Sequence, residues 1–314
     1  MMYHNQKLWC DAVNLQQMRC LCELTRHEWR VSATARALNK SQPAITKQLR
    51  QLENELGAPM FLRAQHRIAG LTPMGEQVVR LAQEVCLGIE SIRRLGKERT
   101  DAYRGEIRIA TTHAQAKFVL PELMQRFSQR NKHVKFELKH ALPAQIVAAV
   151  ASGEADIGVT PEIDLGAKDL RFVTYRSYPR MVLFPRKHAL LRKKKLTLSM
   201  LASYPIITTS AGFAGRTEVF KVFAENNIQP NVQLSAPDFD VVKVCLERGL
   251  GIAIMPSFTF DRALDKQIRA FDASHLFPPS VTSIVIRRNR HLPKLVQEFL
   301  EMVIPNKWNG RTER

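Results

Sequence analysis

The sequence predicts a mixed α+β and α/β protein with an N-terminal winged helix-turn-helix, a long linker helix and a C-terminal two-lobed Rossmann-like domain. In residues 31–53, apolar side chains recur at helical spacing on both sides of an Asn39-Lys40 turn. Residues 73–98 carry an uninterrupted apolar stripe at the same spacing. From residue 106 onwards, short apolar strands alternate with short helices, which is typical of α/β sheets.

Composition excludes several classes of protein. The chain has 314 residues, of which 45% are hydrophobic, so about two or three domains with apolar cores are expected. No apolar run is long enough to cross a bilayer, and residues 1–9 lack the apolar core of a signal peptide, so we expect a cytoplasmic protein with no membrane partner. The five cysteines form no CxxC pair, which favours reduced, core-filling thiols over disulfides or a zinc site. No metal or other cofactor is expected.

The charge balance points to a polyanionic partner. The formal net charge is +18, and the sequence pI is about 10.0. Membrane surfaces and acidic proteins are also polyanions, so charge alone does not choose among them. The helix-turn-helix pattern favours double-stranded DNA, whose phosphates bind Arg and Lys in a salt-dependent manner.

Three helices make up the predicted helix-turn-helix. The first spans residues 14–27 and is expected to pack behind the other two. Ser32 is expected to cap the second helix and Ser41 the third, with Pro43 in the first turn of the third. The polar face of the third helix predicts the DNA contacts Ser41, Gln42, Thr46, Lys47 and Arg50, with Gln42 a candidate base reader. An ordinary amphipathic helical hairpin is the alternative interpretation.

A wing is predicted after this helix. Residues 60–63 are extended, residues 64–70 form a basic loop, and Leu71 leads out of it. Arg63, His66 and Arg67 are therefore expected to contact phosphate or a minor groove, and Arg63 and Arg67 are the predicted DNA contacts of the wing. The alternative for these charges is a solvated turn.

The linker helix begins with a cap at Thr72 and Pro73 in its first turn, and its stripe predicts a coiled-coil-like dimer contact. The polar stretch 97–105 is expected to be a hinge. The predicted domains are residues 1–72 for DNA binding, 73–105 for the linker, and 106–314 for the two-lobed domain, with lobe I at 106–175 and 282–304 and lobe II at 176–281.

In the two-lobed domain the pattern predicts a parallel α/β sheet with a cleft where strands end and helices begin. Strands are expected at 107–112, 134–138, 155–160, 172–186 (two), 205–209, 232–235, 249–256 and 282–287. Helices are expected at 121–130, 143–152, 197–202, 215–226, 238–248 and 293–303. The strand at 282–287 is expected to return to the first lobe. Thr208, Thr209 and Ser210, at the end of a strand, are candidate cleft donors.

Two runs carry a family resemblance. Residues 33–57, followed by Phe61-Leu-Arg63 and Leu71–Gly75, resemble the DNA-binding domain of the LysR-type transcriptional regulators, and the remaining chain resembles their effector domain, which is similar to periplasmic binding proteins. Residues 109–116 and 210–217 resemble the CysB-like branch, the regulators of sulfur assimilation. The resemblance implies a small-molecule effector between the lobes, a homodimer or homotetramer on an imperfect inverted repeat of DNA, DNA bending, and contact with RNA polymerase.

The resemblance also implies an effector site. Its expected residues are Thr111, Thr112, His113, Ala114, Gln115, Thr160, Tyr178, Thr208, Thr209 and Ala214. In the CysB-like branch, hydroxyl groups in this cleft bind sulfate or an acylated serine. Ala114, Pro161 and Ala214 stand where that branch has hydroxyl residues, so we expect a larger or less polar effector, such as an organosulfur compound or another small organic acid.

The sequence allows other functions besides a regulator. Regulation of unrelated organic-acid metabolism stays open, and a solute-binding module is a remote alternative that the DNA-binding front end disfavours. An enzyme is disfavoured because no nucleophile or carboxylate accompanies His113 in a recognisable catalytic motif. Asp238 is expected to cap a helix rather than pair with Asp240 as a catalytic acid. Lys193–Lys195 is expected to be a solvated loop.

Overall fold

The computed structural model describes residues 13–65, 67–98, 105–161, 169–211, 214–288 and 292–305. The chain divides into two compact units, Met1–Lys97 and Glu98–Arg314. The elements of the first are α1 (Leu15–Arg26), α2 (Val31–Ala37), α3 (Gln42–Leu56), β1 (Phe61–Ala64), β2 (Arg67–Leu71) and α4 (Pro73–Glu98).

The helix ends of the first unit test the predicted caps. Ser41 caps α3 by accepting from the Ala44 amide at 3.4 Å, and α3 ends where Gly57 takes φ of 67°. The prediction that Ser32 caps α2 is wrong: α2 begins at Val31, and Arg30 holds the cap position without a side-chain bond. Glu28 and Trp29 have positive φ, which tightens the preceding turn and leaves Ser32 inside the helix.

The wing is a two-stranded antiparallel hairpin of β1 and β2. The predicted loop at 64–70 is mostly wrong, because β2 begins at Arg67. His66 lies outside the described residues, as do residues 99–104 of the predicted hinge. Thr72 accepts from the Gly75 amide at 3.1 Å, which confirms the predicted cap of α4.

One core holds the first unit together. Leu21 and Leu24 of α1 pack with Ile45 and Leu52 of α3, and Val79 of α4 joins the same cluster. Cys20 and Cys22 are buried in it, as expected of core-filling thiols. A second set of apolar residues on α4 remains exposed in the chain: Leu81, Val85 and Ile92.

The second unit contains two lobes. Its strands are β3 (Gly105–Thr111), β4 (Val134–His140), β5 (Ile157–Pro161), β6 (Leu170–Tyr178), β7 (Arg180–Pro185), β8 (Ile206–Thr209), β9 (Val232–Ala236), β10 (Ala253–Pro256), β11 (Ile268–Asp272) and β12 (Ser280–Arg287). Its α-helices are α5 (His113–Phe118), α6 (Leu120–Arg130), α7 (Pro143–Ala151), α8 (Leu198–Ala202), α9 (Ala214–Glu225), α10 (Phe239–Glu247) and α11 (Lys294–Val303).

The sheet of lobe I has the strand order β4-β3-β5-β12-β6. The predicted parallel sheet is correct for three strands and wrong for the others: β3 is parallel to β4 and β5, but β12 is antiparallel to both β5 and β6. The reason is topological, because β12 re-enters lobe I from lobe II. The β6–β12 ladder extends to the pair Tyr178–Ser280, so the chain crosses between the lobes next to these residues.

Lobe II has an antiparallel sheet in the order β10-β7-β11 and a parallel pair, β8-β9. A parallel bridge between Ile206 and Ile252 connects them. The sequence reading missed β11 and the short helix α5, because neither has enough residues to develop a clear apolar period. Within the described part of the chain, no helix has both the length and the apolarity needed to cross a bilayer.

Candidate DNA-binding face and effector cavity

The polar face of α3 forms one shallow, open surface. It is lined by Gln42, Pro43, Thr46, Lys47, Arg50, Gln51 and Asn54. Four of the five predicted contacts on this helix are therefore adjacent. Ser41 precedes them at the helix start, with its hydroxyl oxygen facing the Ala44 amide. The sequence also places Gln51 on this polar face, but the predicted DNA contacts include neither Gln51 nor Asn54, which follow Lys47 and Arg50 by one helical turn.

The two predicted wing arginines differ in their surroundings. Arg63 Nη2 donates to Glu53 Oε2 at 2.9 Å, while Glu53 Oε1 accepts from the amides of Met60 and Phe61. Arg63 thus belongs to a network that fixes β1 against α3. Arg67 is exposed on β2 and forms no ion pair with another described residue. Of the two, Arg67 has the side chain that is free to bind phosphate.

A cavity lies between the two lobes of the second unit. Lobe I contributes the start of α5, and lobe II contributes β8 and the first turns of α9 and α10. The walls are mostly apolar, with Val219, Phe220 and Phe258 among them. The cavity encloses about 60 Å³. Helix starts at its edge give it backbone N–H groups, which favour an anion.

Six of the ten predicted effector residues line this cavity: Thr112, His113, Ala114, Gln115, Thr208 and Thr209. Pro161, one of the departures from the CysB-like pattern, lines it too. The Gln115 amide nitrogen donates to Thr282 Oγ1 at 2.8 Å, but its buried Oε1 has no partner among the described residues. This oxygen is an acceptor that a ligand or water can satisfy.

Three of the other predicted residues, Thr111, Thr160 and Tyr178, are not on the cavity wall. Thr111 and Thr160 are fully buried in their strands. Tyr178 packs edge-to-face on Phe258, with ring centroids 4.6 Å apart, and so supports a lining residue from behind. The fourth, Ala214, is the first residue of α9, next to the lining residue Gly215, and its side chain lies outside the described part of the structure.

Sequence reasoning missed the most unusual residue of the cavity. Arg180, the first residue of β7, lines it and is only 2% exposed. Its Nε donates to the Pro278 carbonyl at 3.0 Å. Burial lowers the pKa of Arg180, and the charge of Glu218 opposes this in part. The only sequence signal was a charged residue directly before an apolar strand, which is also a common pattern for exposed arginines.

A polar contact closes the rim of the cavity. His113 Nε2 donates to Asp240 Oδ2 at 3.0 Å, and Lys117 Nζ donates to the other oxygen of the same carboxylate. Asp238 caps α10, accepting from the amides of Asp240 and Val241, so its predicted capping role is confirmed. The acidic groups near His113 are therefore already engaged by an ammonium and by helix amides, which disfavours a metal there.

Comparison with known proteins decides the family. Residues 15–76 match the family described as "Bacterial regulatory helix-turn-helix protein, lysR family", and residues 100–306 match "LysR substrate binding domain". The chain belongs to the LysR family of transcriptional regulators. It is thus a DNA-binding regulator with an effector-binding domain. LysR-type regulators bind DNA and small-molecule effectors, and they oligomerise.

Similar proteins lie within this family. The regulator CysB of Haemophilus influenzae is 35% identical over 294 residues, covering 94% of this chain and 91% of CysB. SsuR of Burkholderia cenocepacia is 34% identical over 295 residues, covering 94% and 96% of the two chains. The crystal structure of the cofactor-binding domain of the Cbl regulator, 30% identical, matches with a TM-score of 0.61 over 65% of this chain and 89% of that chain.

Proposed function

We propose that this LysR-type regulator controls genes of sulfur or organosulfur metabolism in response to a small molecule bound between its two lobes. The similarity to CysB and SsuR along nearly the whole chain supports the pathway. The observation that carries the effector site is the cavity itself, where residues from both lobes converge around Gln115 Oε1, which has no partner among the described residues.

The effector we propose is not sulfate bound in the manner of the CysB-like branch. Ala114 and Pro161 on the cavity wall have no side-chain donor. Each lost hydrogen bond to a charged group is worth about 1.5–3 kcal/mol, so losing two or three costs a buried dianion most of its affinity. An organosulfur compound is the first candidate. Regulation by another small organic acid is the second, favoured by the largely apolar wall.

On the DNA side, the proposal assigns the contacts to the exposed face of α3 and to Arg67 on the wing. Two copies pair through the exposed stripe of Leu81, Val85 and Ile92 on α4 and present two recognition helices to an imperfect inverted repeat. The proposal includes assembly into a tetramer, contact with RNA polymerase and a cytoplasmic location. It includes no catalytic activity.

Two experiments test this function. In a gel shift with the DNA upstream of its own gene, we expect specific retardation that Gln42→Ala weakens. No specific retardation at moderate salt would refute the regulator as proposed. In a calorimetric titration, we expect sulfate to bind more weakly than the micromolar range. Micromolar sulfate binding would show that Ala114 and Pro161 have not disabled the inherited site.

A further inference from the structure

We infer that Arg180 is the counter-charge for the effector, and that the effector is a short organic monoanion, a sulfonate or a carboxylate, with an apolar body. This inference rests on the proposed effector cavity and narrows the class of molecule that it binds. It concerns a residue outside the set of threonines, glutamine and histidine that the resemblance to the CysB-like branch supplied.

The position of Arg180 is fixed by three separate parts of the chain. It begins β7 just after the crossing from lobe I, and its Nε donates to the carbonyl of Pro278 on the returning segment. Its terminal nitrogens face the first turn of α9, where a Cβ placed on Gly215 would stand 3.6 Å from Nη1. The guanidinium is therefore held rigidly at the cavity wall, beside a helix start that also favours anions.

The terminal nitrogens of Arg180 are uncommitted. Among the residues that the structure describes, the one hydrogen bond of the Arg180 side chain is that of Nε to Pro278, and no ion pair engages Nη1 or Nη2. Other arginines of the same unit are engaged: Arg108 donates to Asp156 through Nε and Nη2, and Arg216 donates to the Thr209 carbonyl. Arg180 thus presents a fork of donors to the cavity, in the arrangement that binds an oxyanion through two bonds.

An unpaired buried charge costs several kcal/mol, and a guanidinium does not avoid this cost by losing its proton. The negative charge of Glu218 raises the pKa of Arg180. Glu218 is exposed, however, and forms no ion pair with Arg180 among the described residues. A bound anion would offset the cost. One fixed positive charge matches a monoanion better than a dianion, whose second charge would need donors that Ala114 and Pro161 do not supply.

The walls and the volume of the cavity limit the polarity and the size of the uncharged part of the ligand. Val219, Phe220 and Phe258 provide apolar walls. The enclosed volume of about 60 Å³ is well below the roughly 150 Å³ of an apolar cavity that accepts benzene. A headgroup carrying one to a few carbons fits these limits, whereas an aromatic acid does not fit without the lobes opening.

The test uses the full chain and calorimetric titration with four probes: ethanesulfonate, propionate, propionamide and inorganic sulfate. Propionamide has nearly the shape of propionate without its charge. We expect at least one of the two organic anions to bind about tenfold or more tightly than propionamide and sulfate, and the better anion identifies the headgroup. Equal binding of propionate and propionamide, with no binding of ethanesulfonate, would overturn the inference.

Substitutions of arginine test whether Arg180 supplies the positive charge that binds the anion. Arg180→Gln is expected to weaken the binding of the better anion by roughly 10- to 100-fold, the effect of losing charge-assisted hydrogen bonds. Arg180→Lys keeps the charge but not the fork, so it should retain part of the preference for the anion. Arg186→Gln removes the same charge from an exposed side chain directly after β7, and it should leave binding unchanged.

The outcomes separate this inference from the proposed function. Melting curves recorded without ligand show whether each variant folds. If Arg180→Gln does not fold, Arg180→Lys is used for the test instead. Unchanged anion affinity in a folded Arg180→Gln would overturn the role of Arg180. If neither organic anion binds while the wild-type protein still retards its own upstream DNA, the effector class is wrong and the regulator stands. If specific DNA retardation is absent, the proposed function itself fails.

Discussion

His113 of lobe I and Asp240 of lobe II meet across the cavity rim, with Nε2 and Oδ2 3.0 Å apart. Lys117, one helical turn after His113 on α5, donates to the same carboxylate from the same side. Since His113 also lines the cavity, a ligand seated there lies next to a contact that joins the lobes. This contact is a direct route by which occupancy of the cavity can favour one arrangement of the lobes over another.

The first prediction concerns pH. Burial raises the pKa of Asp240, but the hydrogen bonds and charges of His113 and Lys117 outweigh burial and hold it below its ordinary value. A carboxyl with a lowered pKa in the folded state stabilises the fold at neutral pH, and this contribution is lost as the pH falls through the lowered pKa. We expect Asp240→Asn to reduce the free energy of unfolding by about 0.5–1 kcal/mol at neutral pH, because the group is one-third exposed.

Urea unfolding of both proteins at neutral and at strongly acidic pH measures this. The difference in the free energy of unfolding between the wild-type protein and Asp240→Asn should shrink as the pH falls. Glu225→Gln is the matched control, because the Glu225–Lys221 pair on α9 is 3.9 Å apart and well exposed. A difference for Asp240→Asn that stays constant across the pH range would contradict the assignment.

The second prediction separates the two wing arginines. Arg67→Ala should weaken DNA binding and lower the slope of log affinity against log salt by about 1, because Arg67 is free to bind one phosphate. Arg63→Ala should act mainly on stability, because it removes the partner of Glu53, whose other oxygen holds the backbone of Met60 and Phe61. If both variants lower the slope of log affinity against log salt equally, Arg63 breaks its ion pair with Glu53 and binds DNA instead.

The third prediction concerns base reading by α3. Gln42→Ala should reduce the preference for the specific operator over unrelated DNA, because an amide near the helix start can pair with a base edge. Arg50→Ala should weaken binding to both DNAs and lower the salt slope by about 1 if it binds phosphate. Competition gel shifts at several salt concentrations measure both quantities. If Arg50→Ala changes the sequence preference and Gln42→Ala does not, Arg50 reads the bases and Gln42 does not, contrary to the prediction.

The fourth prediction concerns two glycines of α4. A Cβ on Gly75 would stand 2.1 Å from the Met60 carbonyl oxygen, so Gly75→Ala should destabilise the first unit by about 1–3 kcal/mol or more. A Cβ on Gly96 meets nothing within 4 Å, so Gly96→Ala should stabilise α4 by about 1 kcal/mol through helix propensity. Thermal unfolding should show a lower Tm for Gly75→Ala and a higher Tm for Gly96→Ala. Tm shifts of the same sign in both variants would refute the close approach of the Met60 carbonyl to Gly75.

Much of the first unit could be read from the sequence because its signals are local. The apolar period of α3, its cap at Ser41 and its end at Gly57 depend on residues within a few positions of one another. The misplaced cap at Ser32 shows the limit of such reading. Whether a serine lies at the cap or inside the helix depends on where the preceding turn ends, and here Glu28 and Trp29 adopt positive φ to end it early.

By itself, then, the sequence determined most of the order of the elements, the polar face of α3 and the presence of a two-lobed domain, because periodicity and caps act over a few residues. Only the tertiary structure decided which side chains face the cavity. Arg180, Gly215 and Pro278 are far apart in the chain, and the charge of Arg180 is buried because the crossing between the lobes brings these three segments together. No local pattern separates such an arginine from an exposed one, since its environment is made by distant residues.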